Sequence, residues 1–158
     1  MSTGSKTTST VATLAEITTY LHEELPLTRA MGVEAAQWDG KSLMLRAPLE
    51  LNVNHTDTAF GGSISSLGIL AGYMLLYLAT KERGISCRLL IQKSTTEFLR
   101  PIDTVITATA ALPGDEALGD FVSMLVRKRK ARLELETQVL SRKTLAAVQR
   151  GLYVAIVY

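Results

Sequence analysis

The sequence predicts an α+β domain in which an antiparallel sheet wraps one long apolar helix. Two observations predict it. The stretch from Thr58 to Thr80 carries no charge, and a helix from Phe60 to Lys81 would be apolar on nearly every side. A helix of that kind has to be buried nearly all round, and in 158 residues only a curled sheet supplies that cover. Around it lie six short segments with strand character, joined mostly as hairpins rather than as strand–helix–strand units, which argues against a parallel α/β sheet.

The elements follow in order. The first ten residues, MSTGSKTTST, are small and polar, lack the apolar core of a secretory signal, and are expected to form a disordered tail (1–10) ahead of a single domain (11–158). From Val11 to Glu24, Leu14, Ile17 and Leu21 recur at helical spacing, and Pro26 ends the helix because the residue before proline avoids helical geometry. One further turn is expected from Leu27 to Met31. Val33 to Leu49 reads as a hairpin about Asp39-Gly40, since glycine tolerates the positive φ of a tight turn. Beyond the turn, Leu43, Leu45, Ala47 and Leu49 alternate with Met44, Arg46 and Pro48, as in a strand with one buried face. A polar loop runs from Leu51 to Gly62 into the long helix. Strands are expected at Ser86 to Leu99 and Thr104 to Leu112, then a helix from Glu116 to Lys128 after Pro113-Gly114-Asp115. Ala131 to Ser141 alternates with Leu133, Leu135, Thr137 and Val139 on one face, and Leu145 to Val157 is the last strand.

Composition narrows the function. The chain is 47% hydrophobic and 20% charged, close to the globular average. A net charge of +2 is too weak to imply a nucleic-acid or membrane partner. Cys87 is the only cysteine, and with His22 and His55 the only histidines, no structural zinc site is expected. The continuously apolar part of the long helix, about Leu67 to Ala79, is short for a membrane span. Gly68-x-x-x-Gly72 marks a place where a sheet or another helix approaches the backbone. The basic run Arg127-Lys-Arg-Lys130 complements a helix C-terminus, or would contact phosphates. No aromatics interleave with it as nucleic-acid binding would need. The expected location is cytoplasmic.

The informative stretch is Asn52-Val-Asn54-His55-Thr56-Asp57-Thr58-Ala59-Phe60-Gly61-Gly62-Ser63, between a strand and the start of the buried helix. Paired glycines let a ligand approach the backbone. The first helical N–H groups have no partner inside the helix, and the dipole makes that end positive. A carbonyl oxygen placed there would be polarised. The same glycines also ease a tight turn. Asp57 is the nearest acid to the helix start, suited to capping and turn formation or to activating a water. His55 is either a second candidate base or a plain loop residue with no catalytic role. Asn54 would bind a substrate carbonyl, or else fix the loop through backbone groups. Glu97, on the strand after the helix, is either solvated or directed at a second subunit's site. Ser63, Ser65 and Ser66 have no evident base beside them and read as helix-start residues.

This stretch, with Leu25-Pro-Leu27 and Met31-Gly-Val33 before it and Phe98-Leu-Arg100-Pro101 after it, resembles the thioesterase family of hotdog fold found as the C-terminal domain of YiiD-type acetyltransferases. The best motif is Asn54-x-x-x-Thr58-Ala59-Phe60-Gly61-Gly62-Ser63, and the resemblance runs from about Leu14 to Tyr158. It implies a hotdog homo-oligomer, a dimer or dimer of dimers, and thioesterase-like hydrolysis of acyl-CoA or a related thioester. No cofactor is implied beyond acyl-CoA as substrate or ligand. Many hotdog thioesterases carry Asn-x-x-Gly-x-x-His-Gly-Gly here and a carboxylate about two turns into the helix. In this sequence Phe60 stands at the histidine, Asp57 at the first glycine, and Ile69, between Gly68 and Leu70, at about the acid.

Two functions therefore remain open. In the first, a thioester carbonyl sits against the Gly62 and Ser63 N–H groups, Asp57 or His55 activates water, Phe60 and Gly61 line the mouth, and the acyl tail runs beside Leu67 and Leu70. In the second, the same fold binds acyl-CoA or a lipid thioester without hydrolysis. A dehydratase ranks third, since it needs a helix acid this sequence lacks.

Overall fold

The computed structural model describes residues 11–158; the expected disordered tail, 1–10, lies outside the described residues. Helix α1 (Leu14–Glu24) starts in a capping box, Thr13 accepting from the Glu16 N–H while the Glu16 carboxylate accepts from the Thr13 N–H. Ile17 and Leu21 are its buried residues. Pro26 opens a separate short helix, α2 (Pro26–Ala30), where its missing N–H costs nothing.

Strands β1 (Glu34–Trp38) and β2 (Ser42–Ala47) pair about the Asp39-Gly40 turn. Gly40 has φ +90°, and Asp39 Oδ1 accepts from the N–H groups of Lys41 (2.9 Å) and Ser42 (2.7 Å). Strand β2 ends at Ala47, earlier than the alternation to Leu49 suggests. Pro48 has no N–H for the ladder, and Leu49–Leu51 coil into a 3-10 turn.

The long helix α3 (Gly61–Glu82) leads to β3 (Cys87–Phe98), β4 (Ile106–Ala111), α4 (Asp115–Lys128), β5 (Lys130–Ser141) and β6 (Thr144–Val157). The six strands form one antiparallel sheet in the order β1-β2-β4-β5-β6-β3. Its inner face holds α3. Leu43, Leu45, Ile106, Ala108, Leu135, Val139, Ala147 and Tyr153 close on Ile64, Leu67, Ala71, Met74, Leu75 and Leu78 of the helix. Leu118, Phe121 and Leu125 of α4 join the same core.

Both glycines of Gly68-x-x-x-Gly72 face strand β6. A Cβ on Gly68 would lie 2.8 Å from Gln149 Cβ, and one on Gly72 would overlap the Tyr153 hydroxyl. Strand and helix therefore approach closely because these side chains are absent. Helix α3 is long and apolar enough to cross a membrane, with a mean hydropathy of 1.5, but 56% of that stretch is buried inside this sheet.

One expectation is corrected. Helix α3 is not covered all round. Gly62 is exposed, and Ser65, Ser66, Ile69, Tyr73 and Tyr77 are half-buried, in a stripe at helical spacing. The sheet ends at β3, so its cover stops short of that flank. The inner face of β3 is open as well, with Ile91 38% and Phe98 53% exposed.

Candidate functional site

The loop before α3 is tied down by two asparagines. Asn52 is buried, and its Nδ2 donates to the carbonyls of Met31 (2.9 Å) and Pro48 (2.8 Å), joining the end of α2 to the end of β2. Its backbone carbonyl accepts from the Phe60 N–H at 2.7 Å, and the Ala59 N–H donates to Ile102 at 2.7 Å. Those bonds set where α3 begins. Asn52 lies in the same stretch as Asn54, and the local sequence does not distinguish their roles. Two asparagines one residue apart look alike until burial separates them.

Asn54 organises the turn itself. Its Oδ1 accepts from the Thr56 N–H (2.8 Å), Thr56 Oγ1 (2.9 Å) and the Thr58 N–H (3.1 Å), and its Nδ2 donates to Thr58 Oγ1 (2.9 Å). The Asn54 N–H donates to the Thr58 carbonyl at 2.7 Å. The carboxamide oxygen is saturated, and Asn54 fixes the loop through these bonds.

Within this turn Asp57 adopts φ +60°, the left-handed region that Asp and Asn tolerate best among residues with a side chain. Its N–H donates to the Asn54 carbonyl at 3.4 Å. Asp57 and His55 are both exposed, and among the described residues neither side chain has a hydrogen-bond or ion-pair partner. Glu97 is exposed on β3 and stands 4.0 Å from Arg150, so it belongs to the outer surface of the sheet in this chain. Among the described residues no three His, Cys, Asp or Glu side chains converge as a metal-binding group.

Helix α3 has no side-chain cap, because the Phe60 side chain at its N-cap position has no polar atom. The Gly61, Gly62 and Ser63 N–H groups precede the first bond of the helix, from the Ile64 N–H to the Phe60 carbonyl at 3.1 Å. They form a free set of donors at the positive end of a 22-residue helix. Two exposed rings flank them. The Phe60 ring folds over Gly62, where a Cβ would collide with it, and the Phe98 ring lies against Gly61 at ordinary contact distance.

The two residues expected along the acyl path separate. Leu67 is fully buried on the core side of α3 and presents no surface to a ligand. That corrects the expectation. Residues 67 and 70 lie only about 60° apart around a helix of 3.6 residues per turn, and the edge of the sheet's cover falls between them, with Leu67 on the covered side. Leu70 is half-buried beside the open flank marked by Ser66, Ile69 and Tyr73.

A surface cleft of about 620 Å³ is lined by Gly32, Pro48, Leu51 and Val105, beside the Glu34–Arg46 ion pair. It includes no residue of α3 or of the turn from Asn54 to Ser63. Volume and chemistry therefore do not coincide in one chain: the free amides lie at an open edge.

The family model described as Putative thioesterase (yiiD_Cterm) matches residues 14–157. The chain belongs to this family. Its fold recurs in solved structures. A protein of unknown function from Chlorobaculum tepidum is 29% identical with a TM-score of 0.87, over 91% of this chain and 94% of that one. A protein described as the putative thioesterase from Shewanella oneidensis is 24% identical, with a TM-score of 0.79, over 90% and 96%. A thioesterase from Haemophilus influenzae is 14% identical, with a TM-score of 0.73, over 94% of each chain. The hotdog fold is thereby established, and the apolar α3 within it is the core helix of a thioesterase-type domain. The carboxylate that many hotdog thioesterases place two turns into this helix has no counterpart. At that level Gly68 packs on Gln149, and the Ile69 carbonyl accepts from the buried Tyr153 hydroxyl at 2.8 Å.

Proposed function

We propose that the protein is a thioester hydrolase acting on acyl-CoA or a related acyl thioester. The observation that carries this is the uncapped start of α3, where the Gly62 and Ser63 N–H groups are free and the helix dipole adds to them. A thioester carbonyl oxygen seated there gains charge stabilisation as it becomes an oxyanion. Phe60 and Phe98 border the entry, and the acyl chain follows the open flank of α3 past Ser66, Ile69 and Leu70. Asp57 is the proposed base: it lies one short turn from the amides, and its carboxylate is not engaged elsewhere. His55 is the second candidate. Hydrolysis consumes only water, and no cofactor is proposed.

The working unit in this proposal is a homodimer, or a dimer of dimers, in the cytoplasm. Strand β3 is a twelve-residue edge with exposed Leu90, Ile91 and Phe98, and an edge of that kind invites pairing. A second copy on β3 would wall the groove beside α3, which accounts for the open site in one chain.

Turnover measured over a series of acyl-CoA chain lengths tests the reading, with hydrolysis well above background as the expected result. A non-catalytic acyl-thioester binding module is the second reading, favoured by the missing acid on α3. Saturable binding without turnover would establish it instead.

A further inference from the structure

Four polar side chains from three elements meet beside the open flank of α3. Ser65 Oγ donates to Thr96 Oγ1 at 2.9 Å, and Gln149 Nε2 donates to Ser94 Oγ at 3.0 Å. Thr96 and Gln149 are direct partners across β3 and β6. Gln149 is fully buried, and the other end of its carboxamide has no partner. The cluster sits at a defined depth. Phe98 borders Gly61, Thr96 reaches Ser65, and Gln149 packs on Gly68. At about 1.5 Å of rise per residue, Ser65 and Gly68 lie roughly 4.5 and 9 Å beyond Gly62 along the helix. Further in, Tyr153 of β6 is paired with Ile91 of β3.

An unbranched hydrocarbon is a poor match for such a band. Thr96 Oγ1 and Ser94 Oγ each already accept a bond, which leaves their own O–H groups to donate. The unpartnered Gln149 Oε1 faces Gly68 of the helix, behind the two hydroxyls. A ligand hydroxyl both donates and accepts, so it accepts from the Ser94 and Thr96 O–H groups. We propose that Ser65, Ser94, Thr96 and Gln149 form a subsite for a hydroxyl on the first few carbons of the acyl chain, making hydroxyacyl thioesters the preferred substrates. This rests on the thioester reading above. Ser94 and Thr96 meet the ligand; Gln149 orients Ser94 from behind.

The test compares kcat/KM of the full chain for hexanoyl-CoA and 3-hydroxyhexanoyl-CoA. A site built to bond a hydroxyl rejects the analogue lacking it, so a preference of about tenfold or more for the hydroxyacyl ester is expected. Thr96→Val and Gln149→Leu should bring the ratio to about one. If Gln149→Leu fails to fold, the half-buried and near-isosteric Thr96→Val decides. A ratio near one in the unmodified protein, as expected if water alone fills the band, overturns the proposal, and so does a ratio that Thr96→Val leaves unchanged. If neither ester is hydrolysed, the hydrolase reading fails and calorimetric titration of the same two esters decides the subsite. Tenfold tighter binding of the hydroxyacyl ester upholds it; equal binding, or none, overturns it.

Discussion

Gly62 is the residue at which fold and chemistry can be separated. The three atoms nearest a Cβ there all belong to the exposed Phe60 ring, which can swing outward. Gly62→Ala should therefore keep the melting temperature within a few degrees while lowering kcat/KM by tenfold or more, since it obstructs the amides that a carbonyl would approach. Unchanged kinetics in the folded variant would remove the glycine pair from the site. Asp57 calls for a different substitution. Its φ of +60° makes alanine a poor probe, whereas asparagine tolerates the left-handed region. Asp57→Asn should reduce kcat by about 10²- to 10⁴-fold with little change in KM or melting temperature, the range a general base contributes. Full kcat in Asp57→Asn with loss in His55→Gln would transfer the role to the histidine. Asp39 offers a residue-scale pH prediction. The Lys41 and Ser42 N–H groups hold its carboxyl below the usual carboxylate range. A depressed folded value means the turn is supported above the unfolded value, near about 4, and loosens as pH falls through the folded one. Amide exchange at Lys41 and Ser42, followed by NMR, should accelerate only in that acidic window.

At the scale of elements, the contact between α3 and β6 depends on side chains that are absent. Gly72 lets the Tyr153 hydroxyl reach the Ile69 carbonyl, and burial pushes that hydroxyl's pKa well above the ordinary tyrosine value. Gly72→Ala would drive a Cβ into the ring and should destabilise by about 1–3 kcal/mol, the usual cost of overpacking. Adding Tyr153→Phe should recover part of that loss, because it removes the atom in closest conflict. Thermal unfolding of the single and double variants checks this. If Gly72→Ala melts with the unmodified protein, helix and strand do not meet as tightly as this geometry states.

For the whole molecule, the open flank of α3 and the bare edge of β3 lie on the same side, and each lacks cover that the rest of the fold enjoys. The proposed second copy would supply it through a two-fold interface in which the same strand serves both partners. Sedimentation should show a dimer or larger at micromolar concentration. Ile91→Glu places a charge on the inner face of that edge and should shift the protein toward monomer, with activity falling in parallel. A stable folded monomer in the unmodified protein would count against the shared groove.

The periodic patterns were enough to read α1, the Asp39-Gly40 hairpin, the long helix and the alternating β5 directly, because each depends on local backbone preference and on which face is apolar. The residue motif around Gly61-Gly62 was equally legible, since free helix amides and close approach are properties of a short segment. Three features needed the tertiary structure. Asn52 and Asn54 divide their work by burial, which depends on where Met31, Pro48 and Thr58 arrive. Leu67 and Leu70 part company because the sheet covers one side of α3 and ends before the other. The Ser65–Thr96 and Ser94–Gln149 pairs join residues 31 and 55 apart in the chain. Those positions carry no local signal, and only the antiparallel pairing of β3 with β6 beside α3 brings them together.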